Sequence, residues 1–314
     1  MEIKNSRVDV AINAYGKPYQ TAVTLYTLLK HSGQWIDKIY FVEEKKQPDN
    51  SSYQFILDKL DDRIVYYKPA FWFWYNKVHK FFQNFKQYRY SIRYQYAWEK
   101  SDKDYLLLLH NDIYFTGDLV GEYLNKIGDH TAIGKIGQCW NCPAYSASLC
   151  NGDSYTNYKP DYQGLMNLSE KFPGARSHLY EAAVDKKLPW PLPECRMNEY
   201  VALVNLAKAK PATVPVGKAN AFGTLNKLDV GVEWFSQLNN QGGHTFANFN
   251  YDPYAIHSWV SLKNAGHDAN FDKDLYKYEE SVALQVLMDE FGFNPEKTTL
   301  HSQSMHKLQS AVIR

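Results

Sequence analysis

Apolar residues recur along this chain with two periods, and the first half sorts between them. Val8-Asp-Val-Ala-Ile-Asn13 alternates and then runs apolar, which predicts a strand ending at Ala14-Tyr15-Gly16-Lys17-Pro18. From Thr21 to Lys30, Ala22, Leu25, Leu28 and Leu29 fall at helical spacing, and His31-Ser32-Gly33 stops that helix. Ile36 to Val42 predicts a second strand ending at Glu43-Glu44, residues 45–52 a polar loop, Tyr53 to Leu60 a short helix and Ile64 to Tyr67 a third strand. Tyr105 to Leu109 is an uninterrupted apolar or aromatic run without turn residues, which suits a strand buried on both faces of a parallel sheet. It breaks abruptly into His110-Asn111-Asp112.

The order β-α-β-α-β predicts an α/β fold, a mostly parallel sheet flanked by helices. In such sheets ligands bind outside the carboxyl ends of the strands, where His110, Asn111 and Asp112 are delivered. Between the third and fourth strands, residues 70–100 are aromatic and basic, with Lys77, Lys80, Lys86, Arg89 and Arg93, and a helix is expected from about Phe85 to Lys100. Beyond Gly117-Asp118 the pattern predicts a helix to about Lys126 and a strand over Thr131–Ile136. Residues 137–200 look irregular, a length that usually marks a functional wall. A helix is expected over Asn198–Ala209, closed by Lys210-Pro211, then short strands and Gly-rich turns over 212–250. Tyr254–Val260 reads as a last strand carrying His257, and Tyr278–Phe291 as a helix before a peripheral tail. With no internal repeat or low-complexity linker, residues 1–314 are expected to form a single domain. Residues 1–135 form its first half and 136–314 an elaborated second half.

Charge and length narrow the classes. Lys and Arg number 35 against 34 Asp and Glu, so bulk charge does not recommend nucleic acid, and the basic aromatic stretch reads as a helix with a basic edge. No apolar run reaches the length of a membrane span, and Met1-Glu-Ile-Lys-Asn-Ser-Arg7 holds no signal core. A cytoplasmic protein is expected, with peripheral membrane association open to it. With 25 Tyr, 16 Phe and 8 Trp, many rings are available to stack on sugars or bases.

The Val-Asp-Val-Ala-Ile-Asn-Ala-Tyr strand and turn, the second strand ending in acids, and the fourth strand ending in His110-Asn111-Asp112 recur in this order in one group of enzymes. The chain resembles nucleotide-sugar glycosyltransferases of the GT-A (Rossmann-like) fold, most of all the inverting family-2 type, over roughly residues 7–135. The resemblance implies transfer of a sugar from a nucleotide-sugar donor to a hydroxyl of a carbohydrate or glycoconjugate acceptor, as in polysaccharide synthesis. It implies a divalent cation, Mn²⁺ or Mg²⁺, held at Asp112 to stabilise the diphosphate leaving group. His110 stands where the family more often has Asp. A neutral imidazole ligates Mn²⁺ better than Mg²⁺, or it positions a phosphate or the donor sugar instead.

By the same resemblance Ala14 and Tyr15 would hold the nucleobase and ribose. Glu43 or Glu44 would accept their hydrogen bonds, the plainer reading being two surface acids opening a loop. Arg93 would face the diphosphate, or be solvated. Glu199, read as the start of a helix, would deprotonate the acceptor hydroxyl, with Glu194 in reserve; an acid at a helix start is also simply favoured there. His257 is either a metal or diphosphate ligand or a satisfied core residue, and Gly266-His267 follows it. Cys139, Cys142, Cys150 and Cys195 would either hold a structural zinc or be separate buried thiols, disulfides being unexpected in the cytoplasm. Two alternatives stay open: a nucleotidyltransferase, and a non-catalytic carbohydrate-binding protein on a decayed transferase fold.

Overall fold

The computed structural model describes residues 8–48, 51–60, 62–73, 78–260 and 271–295; Lys77, Gly266-His267 and the tail after Pro295 lie outside them. Strands β1 (Val8–Ala14), β2 (Ile36–Glu43), β3 (Ile64–Tyr67) and β4 (Tyr105–Leu109) run parallel to one another. β5 (Ile113–Phe115) leaves the sheet to pair with β9 (Ala255–His257). The main sheet continues through β6 (Ala132–Ile136), β7 (Met197–Asn205) and β8 (Phe246–Asn248) in the order β3-β2-β1-β4-β7-β6-β8. Only β7 runs antiparallel to its neighbours β4 and β6, so this is a mostly parallel seven-stranded sheet built by both halves of the chain.

The helices are α1 (Pro18–Ser32), α2 (Gln54–Lys59), α3 (Lys86–Arg89), α4 (Gln95–Lys100), α5 (Leu119–Lys126), α6 (Pro143–Ser146), α7 (Tyr162–Lys171), α8 (Tyr180–Ala183), α9 (Leu206–Thr213), α10 (Val232–Gln241) and α11 (Lys273–Phe291). β4 shows why the sheet needs helices on both faces. Leu107 and Leu109 join a core with Leu25 and Leu28 of α1 and Leu287 of α11, while Leu106 and Leu108 join another with Trp98 of α4 and Trp234 of α10. All four leucines are fully buried, and each contributes about 1.5–3 kcal/mol of transfer free energy.

Four expected stretches differ. The helix over Phe85–Lys100 is broken into α3 and α4, because Tyr94 takes a left-handed φ of 64°. Its amide donates to Asn13 Oδ1 at 3.0 Å. Arg93 therefore lies in the break, bridged to Gly223, where a Cβ would meet Arg93 O at 2.1 Å. The helix expected over Asn198–Ala209 is strand β7 followed by α9. Val201 and Leu203 face one core and Ala202 and Val204 the other, a double-sided burial that an apolar run alone does not distinguish from a buried helix. Within 212–250 the chain forms α10 as well as β8, and within 137–200 it forms α6, α7 and α8.

The turn after β1 is gripped by the last helix. α1 has no capping side chain of its own, and Lys17 precedes it at φ 53°. Glu280 of α11 supplies the cap: its oxygens accept from the Tyr19 amide at 2.8 Å and the Gln20 amide at 3.2 Å. Burial raises the Glu280 carboxyl from 4.5 to about 7, against the opposing pull of those amides and of Lys17. Between the two values the folded chain holds a proton that the unfolded chain has released. Stability therefore falls as pH rises through that window and is level above it. Glu280→Gln, neutral throughout, is expected to remove this slope, on the order of 3 kcal/mol. Denaturant midpoints of both proteins from pH 4.5 to 8 check it, and equal slopes would refute it.

Candidate active site

Four chain segments meet beyond the carboxyl ends of β1 and β4. β4 ends in His110-Asn111-Asp112, and β9 brings His257, which pairs with Ile113. β7 runs the other way, so its beginning reaches the same edge, and the Tyr200 carbonyl accepts from the His110 amide at 3.0 Å. The β1–α1 turn contributes Lys17. Asn111 ties this turn down, donating to Gly16 O at 3.3 Å and Thr21 Oγ1 at 3.2 Å, so its amide serves the scaffold.

Asp112 is the hub. Its Oδ1 lies 3.5 Å from His257 Nε2 and 3.8 Å from His110 Nδ1, and its Oδ2 lies 3.7 Å from Lys17 Nζ. Lys17 also reaches Glu279 at 3.4 Å. His110 Nε2 turns to Glu199 Oε1 at 3.3 Å. The Tyr200 ring stacks on His257, centroids 3.9 Å apart and planes 18° from parallel. Burial alone would raise the Asp112 carboxyl, but His257, Lys17 and His110 hold it down at about 2. Burial lowers His257 to about 4 against the pull of Asp112. At neutral pH Asp112 is thus ionised and His257 neutral, the states that bind metals.

The residues fit a divalent cation. His110, Asp112 and His257 each offer a ligand atom, all within 4.8 Å of one another. Asp112 Oδ1 is buried without a hydrogen-bond partner, an atom that a cation would satisfy. One carboxylate and two imidazoles suit Mn²⁺ better than Mg²⁺. Among the described residues this is the one such group, and the cysteines do not form a second. Among the described residues no three of the thiols of Cys139, Cys142, Cys150 and Cys195 come within that distance of one another. Cys142 and Cys150 contact each other, while Cys139 lies against Ile136 O at 3.9 Å.

A cavity lies between the end of β2, residues 72–73 and 91–93, and the stretch 223–230. Glu44, Trp72, Phe73, Arg93, Gly223 and Val230 line it. Glu44 lies 3.8 Å from Arg93 and accepts from Asn13 Nδ2 at 3.1 Å; burial raises its carboxyl while Arg93 and Asn13 oppose the rise. The Tyr15 and Trp72 rings stack at 6.2 Å. Glu43 turns away from this cavity, held by Lys68 and by the Tyr66 hydroxyl at 3.0 Å. The Ala14 side chain is core, but its carbonyl accepts from the Glu44 amide at 3.0 Å.

Glu199 reaches the site from a strand rather than from a helix start. Its Oε2 is buried without a hydrogen-bond partner. Arg176 holds both oxygens of Glu194. Arg176 and Arg196 also share Asp229 Oδ2, each at 2.6 Å, and Gln138 carries this network to the Tyr200 hydroxyl at 2.5 Å. Sequence reasoning missed Lys17, Tyr200, Trp72 and this network. Trp72 stood inside an aromatic run already noted, and Tyr200 adjoins Glu199; the Arg176–Asp229 pairing crosses 53 positions and leaves no local signal.

No family model matches the sequence, and neither does any curated protein. Among solved structures it is similar to a mannosyltransferase, PcManGT from Pyrobaculum calidifontis, in complex with GDP-Man and Mn²⁺. Identity is 10%, coverage 98% of this chain and 81% of that one, and TM-score 0.46. The bifunctional glycosyltransferase WbbM matches at 12% identity over 88% of this chain and 45% of that one, TM-score 0.43. TarS 1–349 from S. aureus matches at 12% identity over 41% of this chain and 35% of that one, TM-score 0.30. This chain thus spans about a third of the TarS structure. Likenesses this distant assign the chain to no family.

Tyr200 offers a test of how rigidly the site is held. Tyr200→Phe keeps the stack on His257 and loses the bond to Gln138, and it is expected to cost about 1 kcal/mol. Tyr200→Ala also opens a cavity and is expected to cost about 3–5 kcal/mol. Urea unfolding of both variants checks the order, and equal losses would show that the ring contributes nothing.

Proposed function

We propose that this protein is a GT-A-type, nucleotide-sugar-dependent glycosyltransferase that moves a sugar with inversion onto a hydroxyl of a carbohydrate or glycoconjugate acceptor. The observation that carries the reading is one juxtaposition. A carboxylate flanked by two imidazoles lies at the carboxyl edge of β4, beside a cavity with an acid, an Arg and an aromatic wall. A nucleoside diphosphate presents complementary chemistry: a flat base, ribose hydroxyls and two phosphates.

In this reading Tyr15 and Trp72 flank the base, Glu44 accepts from a base N–H or a ribose hydroxyl, and Arg93 faces the diphosphate. Asp112, His110 and His257 would hold Mn²⁺ or Mg²⁺, which when bound neutralises charge on the leaving diphosphate. Glu199 Oε2 takes the proton from the acceptor hydroxyl. The hydroxyl oxygen then bonds to the anomeric carbon as the bond to the diphosphate breaks, and the electron pair leaves with the phosphate oxygen. Glu199 Oε1 meanwhile keeps His110 oriented towards Asp112. The acceptor would rest on the second half, residues 136–314, in a cytoplasmic pathway of polysaccharide or glycoconjugate synthesis.

Thermal-shift measurements with UDP, GDP, dTDP and CMP, each with and without Mn²⁺, are expected to show stabilisation by one nucleotide, enhanced by the metal. No response to any of them would sink the reading. With the stabilising nucleotide's sugar as donor, Asp112→Asn and Glu199→Gln are each expected to lower turnover at least a hundredfold. Full activity in Glu199→Gln would remove it as the base, and a product of retained anomeric configuration would overturn the one-step mechanism.

A further inference from the structure

The solvent-facing part of the acid-free stretch before β4, Lys80 to Lys86, has no part in the proposed chemistry. Between Asp62 and Glu99 the chain carries seven Lys or Arg and no acidic residue, although the whole chain is nearly balanced. Part of this charge is spent internally: Lys68 on Glu43, Arg93 on Glu44 and Arg89 on Glu99. Lys80 and Lys86 are exposed and, among the described residues, pair with no carboxylate. Lys86 lies 5.5 Å over the Tyr90 ring.

Between these two lysines stand three phenylalanines on the solvent side. Phe81 is 70% exposed, Phe85 58% and Phe82 45%. Their rings touch one another at 5.5 to 6.4 Å, so they form one cluster. It sits on a single 3₁₀ turn, Lys80–Asn84, and the start of α3. The turn is braced from within. Buried Arg89 donates to Gln83 O at 2.7 Å and clamps Glu99 of α4. The apolar tip is thus held outward rather than folded onto the core.

We propose that this tip is a membrane-docking site, in which Phe81, Phe82 and Phe85 enter the interface of a bilayer and Lys80 and Lys86 meet anionic headgroups. Exposed aromatic rings flanked by unpaired lysines are the composition that binds such interfaces, and the missing acids remove the repulsion that would oppose it. A second copy of the chain would bring its own lysines against these, so charge favours an anionic partner. The cluster continues through Tyr88 to Phe73, a wall of the Glu44–Arg93 cavity, so docking places that cavity near the bilayer. The proposal does not depend on the assignment of sugar transfer, since it is read without turnover.

Co-sedimentation of the full chain tests it, using phosphatidylcholine vesicles with and without 30% phosphatidylglycerol. The anionic vesicles are expected to bind the protein, and 0.5 M salt to weaken that binding. Phe81→Ser/Phe85→Ser and Lys80→Glu/Lys86→Glu are each expected to lower the partition coefficient at least tenfold, with unchanged thermal unfolding and unchanged nucleotide response. Retained nucleotide response with no vesicle binding by the wild type would overturn the docking proposal alone. Vesicle binding that both variants keep would place the membrane contact elsewhere. A dimer that Phe81→Ser/Phe85→Ser dissociates, or single-stranded RNA binding that Lys80→Glu/Lys86→Glu abolishes, either one without vesicle binding, would give the tip to that partner instead.

Discussion

A buried carboxylate that stays ionised is the constraint on which the rest of this structure depends. Asp112 is 6% exposed, and burial of a charge is costly unless other charges or dipoles offset it. Here Lys17 supplies the opposite charge, and the imidazoles of His110 and His257 stand 3.8 and 3.5 Å from the carboxylate, so the β1–α1 turn, the end of β4 and the distant strand β9 converge on it. Satisfying one carboxylate therefore fixes three segments relative to one another. Lys17 has its own second anion in Glu279, which brings in α11 as a fourth. The sheet supplies the platform, but the convergence is electrostatic.

The fold was legible where local pattern and burial agree. β1, β2, β3 and β4 carry apolar runs bounded by turn residues, and the sheet order follows from their alternation with helices. The site was legible where one strand end carried its chemistry, as at His110-Asn111-Asp112. It was partly legible at His257, whose apolar neighbours admitted a core reading as easily as a ligand. Legibility failed where a tertiary partner decides. β7 carries the apolar run Val201–Val204, buried on both faces behind polar Asn198 and Glu199, and shows neither the alternation of a half-exposed strand nor a clear helical stripe. The break at Tyr94 depends on Asn13, 81 positions away. Glu43 and Glu44 are identical neighbours that strand alternation sends to opposite sides, a distinction that composition does not carry.

The reversal of β7 explains why Glu199 still reaches the site although its element was misread. In a wholly parallel sheet only residues that follow a strand reach the ligand edge. An antiparallel strand brings its first residues there, so Glu199 and Tyr200 stand beside His110 while Arg196 lies just behind them. The segment 137–196 then runs directly into the site. The ionic network of its Arg176, Glu194 and Arg196 with Asp229, which precedes α10, reaches the Tyr200 hydroxyl through Gln138, so the ring against His257 is braced from the second half of the chain.

The grip of α11 on the β1–α1 turn sets an order of events during synthesis. Tyr19 and Glu280 are 261 positions apart, and Gln20 and Glu279 are 259. Contacts this distant close late, since the loop entropy must be overcome before the contact rewards it. The first strands of the sheet can collapse as they emerge from the ribosome, but the turn bearing Lys17 stays uncapped until residue 280 has been made. The cap of that turn, and the Lys17–Glu279 pair beside it, therefore wait on α11, although every strand of the sheet precedes that helix in the chain.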